Sequence, residues 1–134
     1  MEQSVVLCGS FDPLHEGHID IAKRTADICK IPHDRIYYEL SIVNPDKGEI
    51  STEEILIRAE KFKGMRLILS SRPLFKDKNI FLKNGAFSIG ADTYKRLIDI
   101  KYYHNSITER DISFVEFLKN NNKIVVAPRF NESQ

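Results

Sequence analysis

No stretch of this 134-residue chain is apolar for long enough to cross a bilayer, which takes about 20 consecutive apolar residues in a helix. The opening residues, MEQSVV, have neither the basic region nor the apolar run of a secretory signal. Only two cysteines occur, Cys8 closing an apolar run and Cys29 in a helical pattern. They read as small buried fillers rather than a disulfide or a metal pair. Charge of one sign is missing too. The formal net charge is +1, so no nucleic acid and no membrane is indicated as partner, and any anion must be held by a local site rather than a global field. Internal repeats, low-complexity tracts and linkers are absent. What remains reads as a single domain over residues 1–134, with ordinary hydrophobic (42%) and charged (29%) content, expected in a reducing cytoplasm.

Apolar runs alternate with amphipathic ones. Residues 4–8 form a short, wholly apolar strand, the kind buried on both faces of a parallel sheet. Ile19, Ala22, Ala26 and Cys29 recur at helical spacing and predict a helix over 18–30. The β-branched and aromatic run RIYYELSIV predicts a second strand over 35–43, followed by the turn sequence Asn44-Pro45-Asp46-Lys47-Gly48. Ser51 with Glu54 fits a capping box opening a helix to about Lys63 that buries Ile55, Leu56, Ala59 and Phe62, with Gly64 as terminator. A third strand, LILS, lies within 66–70; residues 71–84 are basic and mixed; a fourth strand, AFSIG, covers 86–90. A short helix to Ile98, a loop over 99–105, a helix over 106–118 burying Ile107, Phe114, Phe117 and Leu118, and a fifth strand, KIVVA, complete the pattern. The expected fold is α/β: an open, Rossmann-like parallel sheet of about five strands with helices on both faces. That topology collects the loops after the strands at one sheet edge, namely 9–18, 44–48, 70–72 and 90–93.

The stretch CGSFDPLHEGHIDIA, residues 8–22, carries the chemistry. A strand feeding a small-residue loop that opens a helix is a phosphate-binding layout, because the first backbone N–H groups of a helix have no internal partner and carry the positive end of its dipole. His15 and His18, three residues apart, add ring N–H donors aimed at the same ligand. Gly17 between them lets an anion approach the backbone, Pro13 stiffens the loop, and Asp12 holds it through bonds to nearby N–H groups. The two histidines make no zinc site, since no third ligand lies near them in sequence.

Gly9-x-Phe11-Asp12-x-x-His15-x-Gly17-His18 resembles the signature of the HxGH nucleotidyltransferase superfamily, which includes cytidylyltransferases and pantetheine-phosphate and nicotinamide-nucleotide adenylyltransferases. Gly90-Ala91-Asp92 after the fourth strand is similar to the nucleotide-binding segment of the nicotinamide-nucleotide enzymes, although Asp92 also reads as a helix cap. Over most of the chain the pattern looks like a cytidylyltransferase-like branch near those enzymes. The resemblance implies transfer of a nucleoside monophosphate, AMP favoured over CMP, from a nucleoside triphosphate carrying Mg²⁺ to a small phosphorylated acceptor, with pyrophosphate released. It implies His15 and His18 as catalytic donors, with Gly9, Ser10, Phe11, Gly17, Gly90 and Asp92 around the nucleotide. Lys47 reads equally as a phosphate contact and as a solvated turn lysine; Arg58 is ranked low and Lys23 reads as a surface charge.

The pattern departs from the family in one place. No relative of the C-terminal I-S-S-T-x-I-R signature follows Ala127, where Arg129 is the single arginine. Ser106-Ile107-Thr108-Glu109-Arg110 precedes the fifth strand and reads as a capped helix start. Impaired activity is therefore one expectation, and a nucleotide-binding module without turnover is the alternative; a flavin protein of similar sheet topology is a weaker third. Assembly into a homo-oligomer is left open.

Overall fold

The computed structural model describes residues 3–9, 11, 14–44, 48–71 and 82–128. Its sheet has five strands: β1 (Val5–Gly9), β2 (Ile36–Ser41), β5 (Leu67–Ser70), β6 (Ala86–Gly90) and β7 (Lys123–Ala127). They lie in the order β5-β2-β1-β6-β7, every neighbouring pair parallel. The helices are α1 (Glu16–Ile28), α2 (Thr52–Glu60), α3 (Ala91–Ile98) and α4 (Ile107–Lys119). This is the expected open, Rossmann-like α/β sheet. Among the described residues no helix is long and apolar enough to cross a membrane.

Strand alternation divides the core in two. Val5 and Leu7 point to one face, where Ala22 and Ala26 of α1, Ile36, Tyr38, Leu40 and Phe62 close over them. Val6 points to the other, with Leu82, Phe87 and Phe117 of α4. Both faces of β1 are thus buried, as its unbroken apolar run requires.

The structure corrects several readings. The strand expected over 35–43 is shorter: β2 stops at Ser41, and Val43 belongs to a separate strand, β3 (Val43–Asn44), which pairs antiparallel with β4 (Gly48–Glu49) as a small ribbon. Helix α2 ends at Glu60, and Leu56 is 65% exposed while Phe62, just past the helix, is buried. In α4 only Phe117 of the four expected apolar positions is buried; Ile107 and Leu118 face outward. A helix resting on a sheet buries a narrow stripe, and a count of apolar residues overstates it. Cys8 and Cys29 are partly rather than fully buried, Cys8 packing against the second core cluster. A 3₁₀ turn, Ile100–Tyr103, occupies the loop before α4, and the buried Tyr103 hydroxyl donates to the Leu97 carbonyl at 2.7 Å.

One polar contact inside the core fixes α1 against β6. The Thr25 hydroxyl donates to the Ile21 carbonyl at 2.9 Å, so its oxygen accepts the Ser88 hydroxyl at 2.9 Å. Both residues are almost fully buried. Thr25→Val keeps the side-chain shape and strands the Ser88 donor, at a cost of about 1–3 kcal/mol; adding Ser88→Ala removes the stranded group and recovers much of that loss. Urea unfolding of the two single variants and the double variant checks both parts of this expectation.

Candidate functional site

All strand ends of a parallel sheet emerge at one edge, and here the chain diverges from its centre. After β1 it leads to β2 on one side, and after β6 to β7 on the other. Such a divergence opens a crevice at the carboxyl ends of the two central strands, where open α/β sheets bind ligands. The register confirms the opening: β1 stays paired with β2 as far as Gly9, but with β6 only as far as Leu7 opposite Ser88. Gly9 and Gly90, the last residues of β1 and β6, stand at its two lips.

Phe11 adopts a left-handed backbone (φ 45°) and is 3% exposed. That conformation costs a non-glycine residue about 1–3 kcal/mol and persists where surrounding packing over-determines it. The packing is aromatic: the Phe11 ring meets Phe62 edge-on at 5.0 Å, Tyr38 at 6.1 Å and His18 at 5.0 Å. A Cβ on Gly9 would sit 3.3 Å from the same ring. Phe11 therefore contributes its ring to a buried floor beneath His18. This role, and those of Tyr38 and Phe62, escaped sequence reasoning, because three aromatic residues spread over 52 positions show no shared signal until the sheet brings them together.

On that floor sits the start of α1. His15 is its N-cap residue, in extended backbone, and its Nδ1 accepts the Gly17 N–H at 3.1 Å. His18, three residues on, returns the bond: its Nδ1 accepts the His15 N–H at 3.1 Å. The two imidazoles thus form a capping box, the job that serine and glutamate side chains perform at other helix starts. Their rings stack at 3.9 Å, 29° from parallel. With each Nδ1 accepting, each neutral ring must carry its proton on Nε2. The helix mouth thereby presents two ring N–H donors beside its own positive dipole end. Burial, and then the neighbouring His15, hold His18 below the ordinary value of 6.5, so near neutral pH it is an uncharged donor.

Gly17 has a reason in the structure beyond anion approach. A Cβ there would lie 2.8 Å from His15 Cε1 and 2.9 Å from its Nδ1, so only glycine leaves room for the capping ring. Gly90, the N-cap residue of α3, differs. Its φ of −82° suits any residue, and a Cβ would meet no described atom within 4 Å. Nothing within the described chain demands a glycine, and the space in front of it is open. Asp92 stands exposed in the first turn of α3 and complements the helix dipole.

Of the other residues singled out in the sequence, Ser10, Asp12, Pro13, Lys47 and Arg129 lie outside the described residues. Arg58 is turned along α2, its Nε donating to Glu54 at 2.8 Å, with its side chain 13% exposed. Lys23 is on the surface. Ser106 caps α4 by accepting the Glu109 N–H, and Arg110 donates to the Ile98 carbonyl. Among the described residues no group of three or more histidine, cysteine or carboxylate side chains is arranged to hold a metal.

A parallel sheet with an imidazole-capped helix beside the end of its central strand defines an open α/β protein whose layout fits the sequence motif. Comparison with known proteins makes this specific. The model of the cytidylyltransferase-like family matches residues 6–130, and the chain belongs to that family. It is 31% identical over 93 residues to a protein named "Probable nicotinate-nucleotide adenylyltransferase" from Hydrogenobaculum sp.; the match covers 69% of this chain and 44% of that protein. The match therefore takes in less than half the length of that relative.

Two outcomes are expected. Gly17→Ala displaces the His15 ring and loosens the helix start, lowering stability by about 1 kcal/mol, measurable by thermal melting. A base whose pKa is lowered on folding stabilises the native state fully above its unfolded value and loses that contribution as pH falls. For His18 the loss begins near pH 6.5 and continues down through its lower folded pKa. Urea midpoints recorded from pH 8 to 5 fall on acidification, and the His18→Gln variant falls less steeply.

Proposed function

We propose that the chain is a nucleotidyltransferase, moving the nucleoside monophosphate of a nucleoside triphosphate onto a small phosphorylated acceptor. The observation that carries this reading is the reciprocal imidazole cap: two Nε2–H donors held, stacked, at a helix N-terminus beside the central crevice. An acceptor phosphate oxygen attacks the α-phosphorus; the new P–O bond forms as the bond to the bridging oxygen breaks, and pyrophosphate leaves. This transfer needs alignment and neutralisation of the charge that builds on the phosphoryl oxygens, and little covalent help. His15 and His18 supply preorganised donors for that charge. Being uncharged, His18 does so without a counter-ion of its own. The triphosphate enters as its Mg²⁺ complex, and since Mg²⁺ keeps much of its water, it asks few ligands of the protein.

The open space before Gly90 and the carboxylate of Asp92 supply the second wall of the nucleotide site. The Gly90-Ala91-Asp92 segment and the name of the Hydrogenobaculum relative favour AMP over CMP, and that name favours a mononucleotide as acceptor. Lys47 and Ser10 complete the proposed phosphate contacts from sequence alone.

Pyrophosphate release tests this. With Mg²⁺ and a phosphorylated mononucleotide acceptor, ATP supports turnover better than CTP. His18→Ala reduces kcat by about 10²–10³, the usual effect of deleting a transition-state donor, while its far-ultraviolet circular dichroism stays that of the parent. Nucleotide binding with no pyrophosphate release from any acceptor would instead make the chain a binding module.

A further inference from the structure

At the amino end of the sheet, away from the imidazoles, asparagine side chains tie β6 to β7. Asn122, 3% exposed, stands between α4 and β7. Its Oδ1 accepts the Gly85 N–H at 3.0 Å, and its Nδ2 donates to the Leu82 carbonyl at 2.8 Å. One side-chain amide thereby satisfies a buried backbone donor and a backbone acceptor of the segment entering β6. Beside it, Asn121 Nδ2 donates to Asn84 Oδ1 at 3.1 Å, and the Asn84 N–H donates to the Asn120 carbonyl at 2.9 Å.

These contacts hold a chemically labile pair. In an asparagine–glycine sequence the glycine nitrogen can reach the asparagine side-chain carbon, with no Cβ to hinder it. Here the Gly85 nitrogen would attack Asn84 Cγ and give up its proton to the departing amide. A new N–C bond closes a five-membered succinimide, the bond from Cγ to the side-chain nitrogen breaks, and ammonia leaves. Water then opens the ring at one carbonyl or the other, giving aspartate or isoaspartate. The local backbone keeps this pair in place. Asn84 has a left-handed conformation (φ 54°), which asparagine tolerates better than most residues. A Cβ on residue 85 would strike the Ser4 carbonyl oxygen and lie 2.7 Å from Leu82 Cδ1.

We propose that Asn84–Gly85 is a site of spontaneous deamidation that the native fold holds closed through Asn122. The nitrogen that must attack is the one Asn122 engages, so the reaction waits on local opening of that contact. Asn121 restrains the other reactant by holding the Asn84 side-chain oxygen. The two products differ in consequence. Aspartate at this position still offers an oxygen to Asn121 Nδ2. Isoaspartate adds a methylene to the main chain beside Gly85, moves its N–H off Asn122, and keeps the clamp from re-forming. The pair lies at the opposite end of the strands from His15 and His18, so the inference is independent of the nucleotidyltransferase reading.

Incubation of the full chain at neutral pH tests the proposal, read by peptide mass analysis and by enzymatic labelling of isoaspartate. A free peptide of residues 82–87, LKNGAF, is the unprotected reference. The parent is expected to deamidate at Asn84 more slowly than the peptide by upwards of roughly tenfold, and to lose that protection in urea. Asn122→Ala, shown to be folded by circular dichroism, reacts at Asn84 roughly tenfold faster than the parent. Hydrogen exchange of the Gly85 amide reads the same opening without any variant. The native rate should equal the peptide rate multiplied by the open fraction that exchange gives. A native chain that deamidates as fast as the peptide, a folded Asn122→Ala no faster than the parent, or a rate unrelated to Gly85 exchange would each overturn the proposal.

Discussion

Two hydrogen bonds at the mouth of α1 hold the account together: Gly17 N–H to His15 Nδ1, and His15 N–H to His18 Nδ1. They satisfy two backbone donors that a helix start would otherwise leave orphaned. In doing so they occupy one nitrogen of each imidazole and determine where its proton sits. Structure and chemistry are thereby tied to one local event, because whatever disturbs the cap also disturbs the donors. The requirement passes back into the sequence at Gly17, where any side chain would strike the His15 ring, and at the spacing of three between the histidines, which is the spacing of a capping box.

The rest of the fold serves this mouth at increasing distance. Beneath it, the strained backbone of Phe11 is held by Phe62 and Tyr38, and the Phe11 ring fixes the edge on which His18 rests. Further along, Thr25 and Ser88 join α1 to β6, so the helix that bears the imidazoles and the strand that ends in Gly90 keep one spacing. β1 and β6 part beyond Leu7 and Ser88, and the proposed nucleotide site lies at that parting.

Much of this was legible in the residues. The wholly apolar Val5-Val6-Leu7 run announced a strand buried on both faces of a parallel sheet, and the periodic run after His18 announced helix α1, because each signal is local. That the strands run parallel followed from their alternation with helices. What could not be read had non-local causes. That Phe11 is a floor rather than a lip depends on Tyr38 and Phe62, brought near only by folding. Leu56, Ile107 and Leu118 fit the helical period yet face outward, since the period says which residues share a side but not how wide a stripe the sheet covers. The β3–β4 ribbon went unread because Val43 looked like the end of the preceding strand, and propensity does not mark where one strand ends and another begins.

The tautomers of His15 and His18 give the most direct test. Long-range ¹H–¹⁵N correlation spectra of the ¹⁵N-labelled chain near pH 7.5 read the protonation of each ring nitrogen. The account predicts that both rings are neutral with the proton on Nε2, and that both Nε2 resonances move when a Mg²⁺–nucleoside triphosphate is added. A proton on Nδ1 of either ring, or resonances indifferent to the nucleotide, would contradict it.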